Sequence, residues 1–267
     1  MKNNKQIIFS ILRPGGNDTA LVRGALPMKE KQRINNLIMK RYPNVEQVGF
    51  YYFDSKTNLN KLEMAGGEFC GNALRSLAYL LQRGRTGTLK LAASGTDQIL
   101  TVGVTRKNEA FAQMPILSSF SSVKKINKNL YEVKLSGITH LITPLQGEAD
   151  PKLLKDTGFN LLKENNLDQE AAAGVMFWSK RNKAYRIDPV VWVRDIQTLF
   201  YESACASGTT ALGLWFAKDS TFSKTVRNIQ QPSGESIKIT IVKDTNKFRK
   251  AVITGPIEIY LKGGEII

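Results

Sequence analysis

The chain's two cysteines each head a long apolar segment, and the two segments match one another. The first runs Glu68-Phe69-Cys70-Gly71-Asn72-Ala73-Leu74-Arg75-Ser76-Leu77-Ala78-Tyr79-Leu80-Leu81, and the second Ser203-Ala204-Cys205-Ala206-Ser207-Gly208-Thr209-Thr210-Ala211-Leu212-Gly213-Leu214-Trp215-Phe216. Superposing the cysteines aligns small residues with small ones, Leu77 with Leu212, and the rows of Leu, Tyr, Trp and Phe that follow. Both segments are apolar nearly all round, which predicts two buried helices, one in each half of a repeated fold.

The rest of the chain is read around these helices. Amphipathic spacing predicts further helices over 28–41 and 151–164. Short apolar runs bounded by turn residues predict strands near 7–11, 19–22, 48–53, 89–91, 99–104, 110–114, 130–135, 140–143, 175–178, 184–187, 190–194, 237–242, 251–254 and 257–261. Pro14-Gly15-Gly16-Asn17 and Gly84-Arg85-Thr86-Gly87 read as turns; the second lacks the Lys-Ser/Thr of a phosphate loop. Short mixed strands with few helices indicate an α+β class rather than a doubly wound sheet. After Pro115 a Ser- and Lys-rich linker divides residues 1–117 from 118–256.

Composition narrows the chemistry. Two cysteines and one histidine in 267 residues exclude a four-thiolate zinc site, a multi-histidine metal centre and a disulfide-rich scaffold. The apolar run of the N-terminus is shorter than a signal-peptide core, and no segment reaches the roughly twenty apolar residues of a membrane span. A cytoplasmic, soluble chain with reduced thiols is the expectation. Thirty-eight Lys and Arg against 23 Asp and Glu leave a net charge of +15. The basic residues are scattered, densest over Lys29 to Arg41, Lys124 to Lys134 and Lys243 to Lys250. No nucleic-acid-binding signature accompanies them, so a solvated surface is the expected reading and nucleic acid is not an expected partner.

A cysteine at a helix N-terminus lies beside unpaired backbone N–H groups and a partial positive charge, an environment that lowers a thiol's pKa. The small residues that follow, Gly71, Asn72, Ser207 and Gly208, allow a ligand to approach the backbone. Two such termini facing each other would hold a carboxylate on their N–H groups, with one sulfur on each side. That arrangement suits removal of a proton from one face of a carbon and its return to the other. A lone buried cysteine is usually a small hydrophobe; two in matching helix openings argue for function.

These motifs resemble the diaminopimelate epimerase family of cofactor-independent amino-acid racemases, which pairs a Cys-Gly-Asn opening with a later Cys-Gly-Ser-Gly opening. Here they stand as Cys70-Gly71-Asn72 and Cys205-Ala206-Ser207-Gly208. Gly16-Asn17-Asp18, Glu46-Gln47 and His140 extend the likeness over essentially the whole chain. The resemblance implies two pseudo-symmetric α+β domains, each a mixed sheet wrapped around a central helix, with 257–267 completing the first. It also implies a cleft between them, one cysteine as thiolate base and the other as thiol acid, and no pyridoxal phosphate, metal or nucleotide. An amino-acid substrate and a homodimer follow from the same likeness.

Two departures bear on substrate. The Glu-Arg pair that grips a distal carboxylate in the diaminopimelate enzymes is absent from Phe200-Tyr201-Glu202-Ser203-Ala204-Cys205, as is an Asn that helps hold substrate near the first motif. Losing that clamp argues against a diacid. Glu46 to Phe50, Gly67 to Ala73, Glu202 to Thr209 and Gln231 to Ile237 are instead similar to the histidine racemases of staphylopine-type metallophore pathways. That likeness makes histidine the leading substrate and assigns Glu46 a share in catalysis. Diaminopimelate or another amino acid is the alternative substrate, and a non-catalytic basic binding protein is the alternative class. Ala206 replaces a glycine and is expected to narrow the carboxylate pocket. Asn17 either orients substrate or shapes its turn. Glu202 either binds the substrate ammonium or only complements a helix N-terminus. His140 is expected to be a packed, hydrogen-bonded histidine near the cleft.

Overall fold

The computed structural model of the chain describes residues 7–182 and 184–266; the residues ahead of Ile7, which enter the reading of the N-terminus, lie outside these. Among the described residues there are four α-helices: α1 (Met28–Arg41), α2 (Gly71–Gln82), α3 (Pro151–Glu164) and α4 (Ala206–Lys218). None is long and apolar enough to cross a membrane.

Each helix follows from its local sequence. On α1, Lys31, Ile34, Asn35 and Ile38 fall at helical spacing and are buried, with Glu30 in the first turn and Lys40 and Arg41 in the last. On α3, Asp150 caps the N-terminus by accepting from the Lys152 N–H at 2.9 Å, and Pro151 takes the first helical position. The two apolar helices are capped differently. Cys70 Sγ accepts the Ala73 N–H and Cys205 Sγ the Gly208 N–H, each at 3.3 Å. Sulfur therefore occupies the place where Ser, Thr or Asp usually supplies an oxygen. α2 ends at Arg83, whose φ of 55° is left-handed, followed by Gly84 at 71°.

The strands repeat one topology twice. In the first half, strand Asp18–Arg23 pairs parallel with Val45–Asp54 across α1, and Leu59–Met64 pairs parallel with Gly87–Ala93 across α2. In the second, Ile138–Pro144 pairs parallel with Ala172–Arg181 across α3, and Ala184–Val193 pairs parallel with Lys224–Gln230 across α4. Each half closes with an antiparallel meander: 87–93, 100–104 and 110–113, then 224–230, 236–243 and 248–255. The halves are stitched by chain exchange. Strand Glu258–Ile266 returns to pair with Ile7–Arg13, and Phe248–Gly255 pairs with Ala110–Gln113, so all the strands belong to one hydrogen-bonded sheet. The architecture is α+β, as the sequence implies.

Three packed clusters fill the interior. The largest surrounds α2 and α4 and includes both cysteines, and two smaller ones lie beneath α1 and α3. Two expectations need correction. The segment after Pro115 is an ordered connection. Ser119 caps a single 3-10 turn over Phe120–Ser122, strand Val123–Lys125 follows, and Phe120 packs edge-on against Phe248. The strands expected at 184–187 and 190–194 are one strand, Ala184–Val193. It runs through Pro189, opposite Met176, because pairing with the neighbouring strand Thr198–Tyr201 starts only at Val190.

Candidate active site

The N-termini of α2 and α4 abut at the centre of the molecule. A Cβ added to Gly71 would lie 2.9 Å from the Ala206 Cβ, so the first helix opening needs glycine where the second carries alanine. The pocket at this junction is lined by Cys70, Gly71, Cys205, Ala206 and Ser207, with Glu46, Gln47, Glu68 and Glu202 among its polar walls. Its apolar walls include Phe69, Val191, Val193, Ile196 and Phe200. The first N–H groups of each helix have no carbonyl partner four residues back within their own helix.

The structure thus brings together seven of the residues singled out from sequence: Glu46, Cys70, Gly71, Glu202, Cys205, Ala206 and Ser207. Asn17, Asn72 and Gly208 stand behind the wall. Asn72 donates to the Ala204 carbonyl at 2.9 Å and to Asn17 Oδ1 at 3.4 Å; Asn17 donates in turn to Glu46 Oε2 at 3.4 Å. Asn17 is fully buried, joining the two halves through this chain. Gly208 is required by Met176, whose Sδ would sit 2.0 Å from an added Cβ.

The two sulfurs have different neighbours. Cys70 Sγ–H donates to Gln47 Oε1 at 2.8 Å, and Gln47 Nε2 donates to Glu202 Oε1 at 3.1 Å. Cys205 Sγ lies 3.5 Å from the Ser207 hydroxyl, and the Glu202 carboxyl is close enough for its charge to act on both thiols. Glu46 accepts from the Ser203 N–H at 3.2 Å and from its hydroxyl, tying strand Val45–Asp54 to the segment that leads into α4.

Electrostatics correct the expectation of lowered thiol pKa values. The capping N–H groups do act in that direction, but burial outweighs them and pushes both thiols up, with the nearby carboxylate Glu202 adding to the effect. Burial, and then the charge of Glu46, raises Glu202 to about 8. Burial raises Glu46 as well and brings Glu68 to about 7. The substrate-free site therefore holds protonated thiols.

His140 is packed as expected but stands apart from this pocket. It is fully buried against Gly174, and burial lowers it to about 3. Neither ring nitrogen makes a well-formed hydrogen bond among the described residues, although the Gly174 backbone lies against the ring on its Nδ1 side. Desolvation keeps the ring neutral.

Several residues were given no individual role from sequence, although Gln231 and Ser233 stand in the matching segment Gln231 to Ile237. Gln231 accepts the Cys205 N–H at 2.9 Å and donates to Thr209 Oγ1 at 3.0 Å, fixing the second helix opening. Ser233 donates to the Gly15 carbonyl at 2.8 Å, docking the second half on the N-terminal turn, where Gly16 has a φ of 109°. Arg75 is fully buried within α2 and donates to Asn72 Oδ1 at 3.0 Å and to the Pro14 carbonyl at 3.3 Å. A lone arginine on an otherwise apolar helix, three residues after Asn72, was the available signal for that bond. Gln47 and Glu68 stood inside motifs that carry the resemblance but were given no role, because pairing Gln47 with Cys70 depends on the sheet register.

The fold and this doubled, cysteine-capped junction place the chain in the epimerase class of folds. A hydroxyproline epimerase from Agrobacterium vitis, solved with bound trans-4-hydroxy-L-proline, superposes with a TM-score of 0.69 over 100% of this chain and 92% of that one, at 13% identity. The chain belongs to the histidine racemase family: the model of the histidine racemase CntK N-terminal domain matches residues 6–265. The histidine racemase of Fusobacterium nucleatum subsp. nucleatum is 31% identical over 96% of this chain and 95% of that protein. That of Staphylococcus aureus is 24% identical over 79% and 81%. The protein is accordingly an isomerase, an amino-acid racemase.

Proposed function

We propose that the protein interconverts L- and D-histidine by a two-thiol mechanism that uses no cofactor. The observation that carries the mechanism is the approach of Gly71 to Ala206, which sets two cysteine-capped helix openings against one pocket. The substrate carboxylate lies on the free N–H groups of the two helix openings, where charge building on it during Cα deprotonation is stabilised. The ammonium pairs with Glu202. That positive charge offsets the carboxylate that holds the thiols up, so binding prepares one of them to ionise, its proton leaving to solvent before the pocket closes on the substrate.

One sulfur, as thiolate, takes the α-proton from one face, and the other, as thiol, delivers its own proton to the opposite face. After one turnover each sulfur has exchanged protonation state with the other, and no net proton is consumed. Roles reverse for the other enantiomer. Glu46 contributes by holding Ser203 and by adding its charge to the field that raises Glu202. Histidine as the substrate is supported by the racemases named for it in Fusobacterium nucleatum and Staphylococcus aureus.

The test is incubation of L-histidine in heavy water with metal and pyridoxal phosphate stripped away. The expected outcome is Cα deuterium incorporation with loss of optical rotation. A protein inert on histidine but active on another amino acid would overturn the substrate. Cys70→Ser and Cys205→Ser keep an N-cap acceptor and are expected to fold, while losing at least roughly a thousandfold in turnover. Full activity in either variant would overturn the two-thiol scheme.

A further inference from the structure

Glu68 is the one carboxylate of the pocket that the scheme above leaves without a task. Glu46 is held by Ser203 and Asn17, and Glu202 by Gln47. Glu68 Oε2, by contrast, is buried and has no well-formed hydrogen bond among the described residues, its carboxyl lying only near the backbone of Gly66 and of Glu68 itself. A Cβ built on Gly66 would meet that oxygen at 2.7 Å, Val193 Cγ1 at 2.9 Å and Ile196 Cγ1 at 3.4 Å, so the oxygen and these two apolar side chains converge on the same glycine. Both also line the pocket that holds the cysteines.

A buried acceptor left unsatisfied is costly, and one inside a substrate pocket is naturally satisfied by the substrate. Its surroundings describe the donor. The walls beside it are aliphatic and flat-sided groups pack well against them. Glu68 is two residues from Cys70, so the distance from a Cα held at the helix openings is short. A planar ring one methylene from Cα fits that reach, whereas a long flexible amine would overshoot it. We propose that Glu68 is the specificity residue for the substrate side chain, its free oxygen accepting the ring N–H of an imidazole flanked by Val193 and Ile196. This rests on the histidine reading given above and assigns the residue that enforces it.

The experiment compares the wild type with Glu68→Gln and Glu68→Leu, each first checked for an unchanged melting temperature. Two readouts are taken: KM and kcat on L-histidine, and inhibition by a pair of carboxylic acids, 3-(imidazol-4-yl)propionate and 4-methylpentanoate. For Glu68→Leu we expect the histidine KM to rise by at least about tenfold with a smaller change in kcat. Inhibition by the imidazole acid should weaken to a similar degree while that by the aliphatic acid holds or improves. Glu68→Gln, which keeps an acceptor oxygen, should fall between. A histidine KM within about twofold of wild type in Glu68→Leu, or equal weakening of both inhibitors, would overturn the proposal. A wild type inert on histidine would overturn the substrate reading and this assignment with it. A wild type active on histidine with indifferent variants would overturn this assignment alone.

Discussion

Glu202 binds its proton more tightly folded than unfolded, because burial and then the charge of Glu46 raise it from 4.5 to about 8. A carboxyl with a raised folded pKa gives stability at low pH that is lost as pH climbs from the unfolded value to the folded one, since the native state holds the extra proton across that window. Between pH 4.5 and 8 this group therefore makes the protein progressively less stable. Glu202→Gln removes the dependence: its melting temperature should match wild type near pH 5 and exceed it near pH 8.5, by an amount reflecting a few kcal/mol at most. Melting curves across that range check it, and an identical pH slope in the variant would refute the assignment. The cysteines themselves were legible in sequence, since the doubled pattern around residues 70 and 205 needs no coordinates. Their proton affinities were not. The helix terminus is visible in a sequence, but the depth of burial and the carboxylates arriving from residues 68 and 202 are set by packing.

At the scale of elements, α2 and α4 meet through a glycine and an alanine. Gly71→Ala would set two methyl groups at 2.9 Å and also press on Met114. Met114 can rotate away, but Ala206 is fixed in its own helix. We expect a loss of about 1–3 kcal/mol in stability from overpacking, together with reduced turnover as the helix openings part. The double variant Gly71→Ala with Ala206→Gly should recover most of both, because it returns one small residue to each pair. Chemical denaturation and turnover of the four combinations would measure this, and additive effects would contradict a direct contact. Helices at 28–41 and 151–164 were plain in sequence because their apolar residues recur at helical spacing. Strands Leu59–Met64, Thr198–Tyr201 and Lys224–Gln230 were not. LNKLEM and KTVRNIQ are too polar to announce themselves, and their neighbours in the sheet hold them extended.

At the scale of the whole molecule, two copies of one topology share a continuous sheet, and the strand exchange at residues 248–266 locks them together. The helical rhythm disclosed the doubling; the return of 257–267 to the first half was expected only from the family resemblance, and the pairing of Phe248–Gly255 with Ala110–Gln113 was not expected at all. The doubling is also imperfect where it matters. Cys70 faces the neutral amide of Gln47, while Cys205 faces the carboxyl of Glu202. Mirror-image substrates have equal free energies in water, so their interconversion has an equilibrium constant of one whatever the enzyme looks like. Thermodynamics then requires equal kcat/KM for the two enantiomers, yet it places no such demand on kcat or KM separately. In the proposed two-thiol scheme the unequal surroundings of the sulfurs should make them differ, the enantiomer with the larger kcat having the larger KM by the same factor. Progress curves begun from each pure enantiomer would display that imbalance as two different plateau rates leading to one racemic mixture.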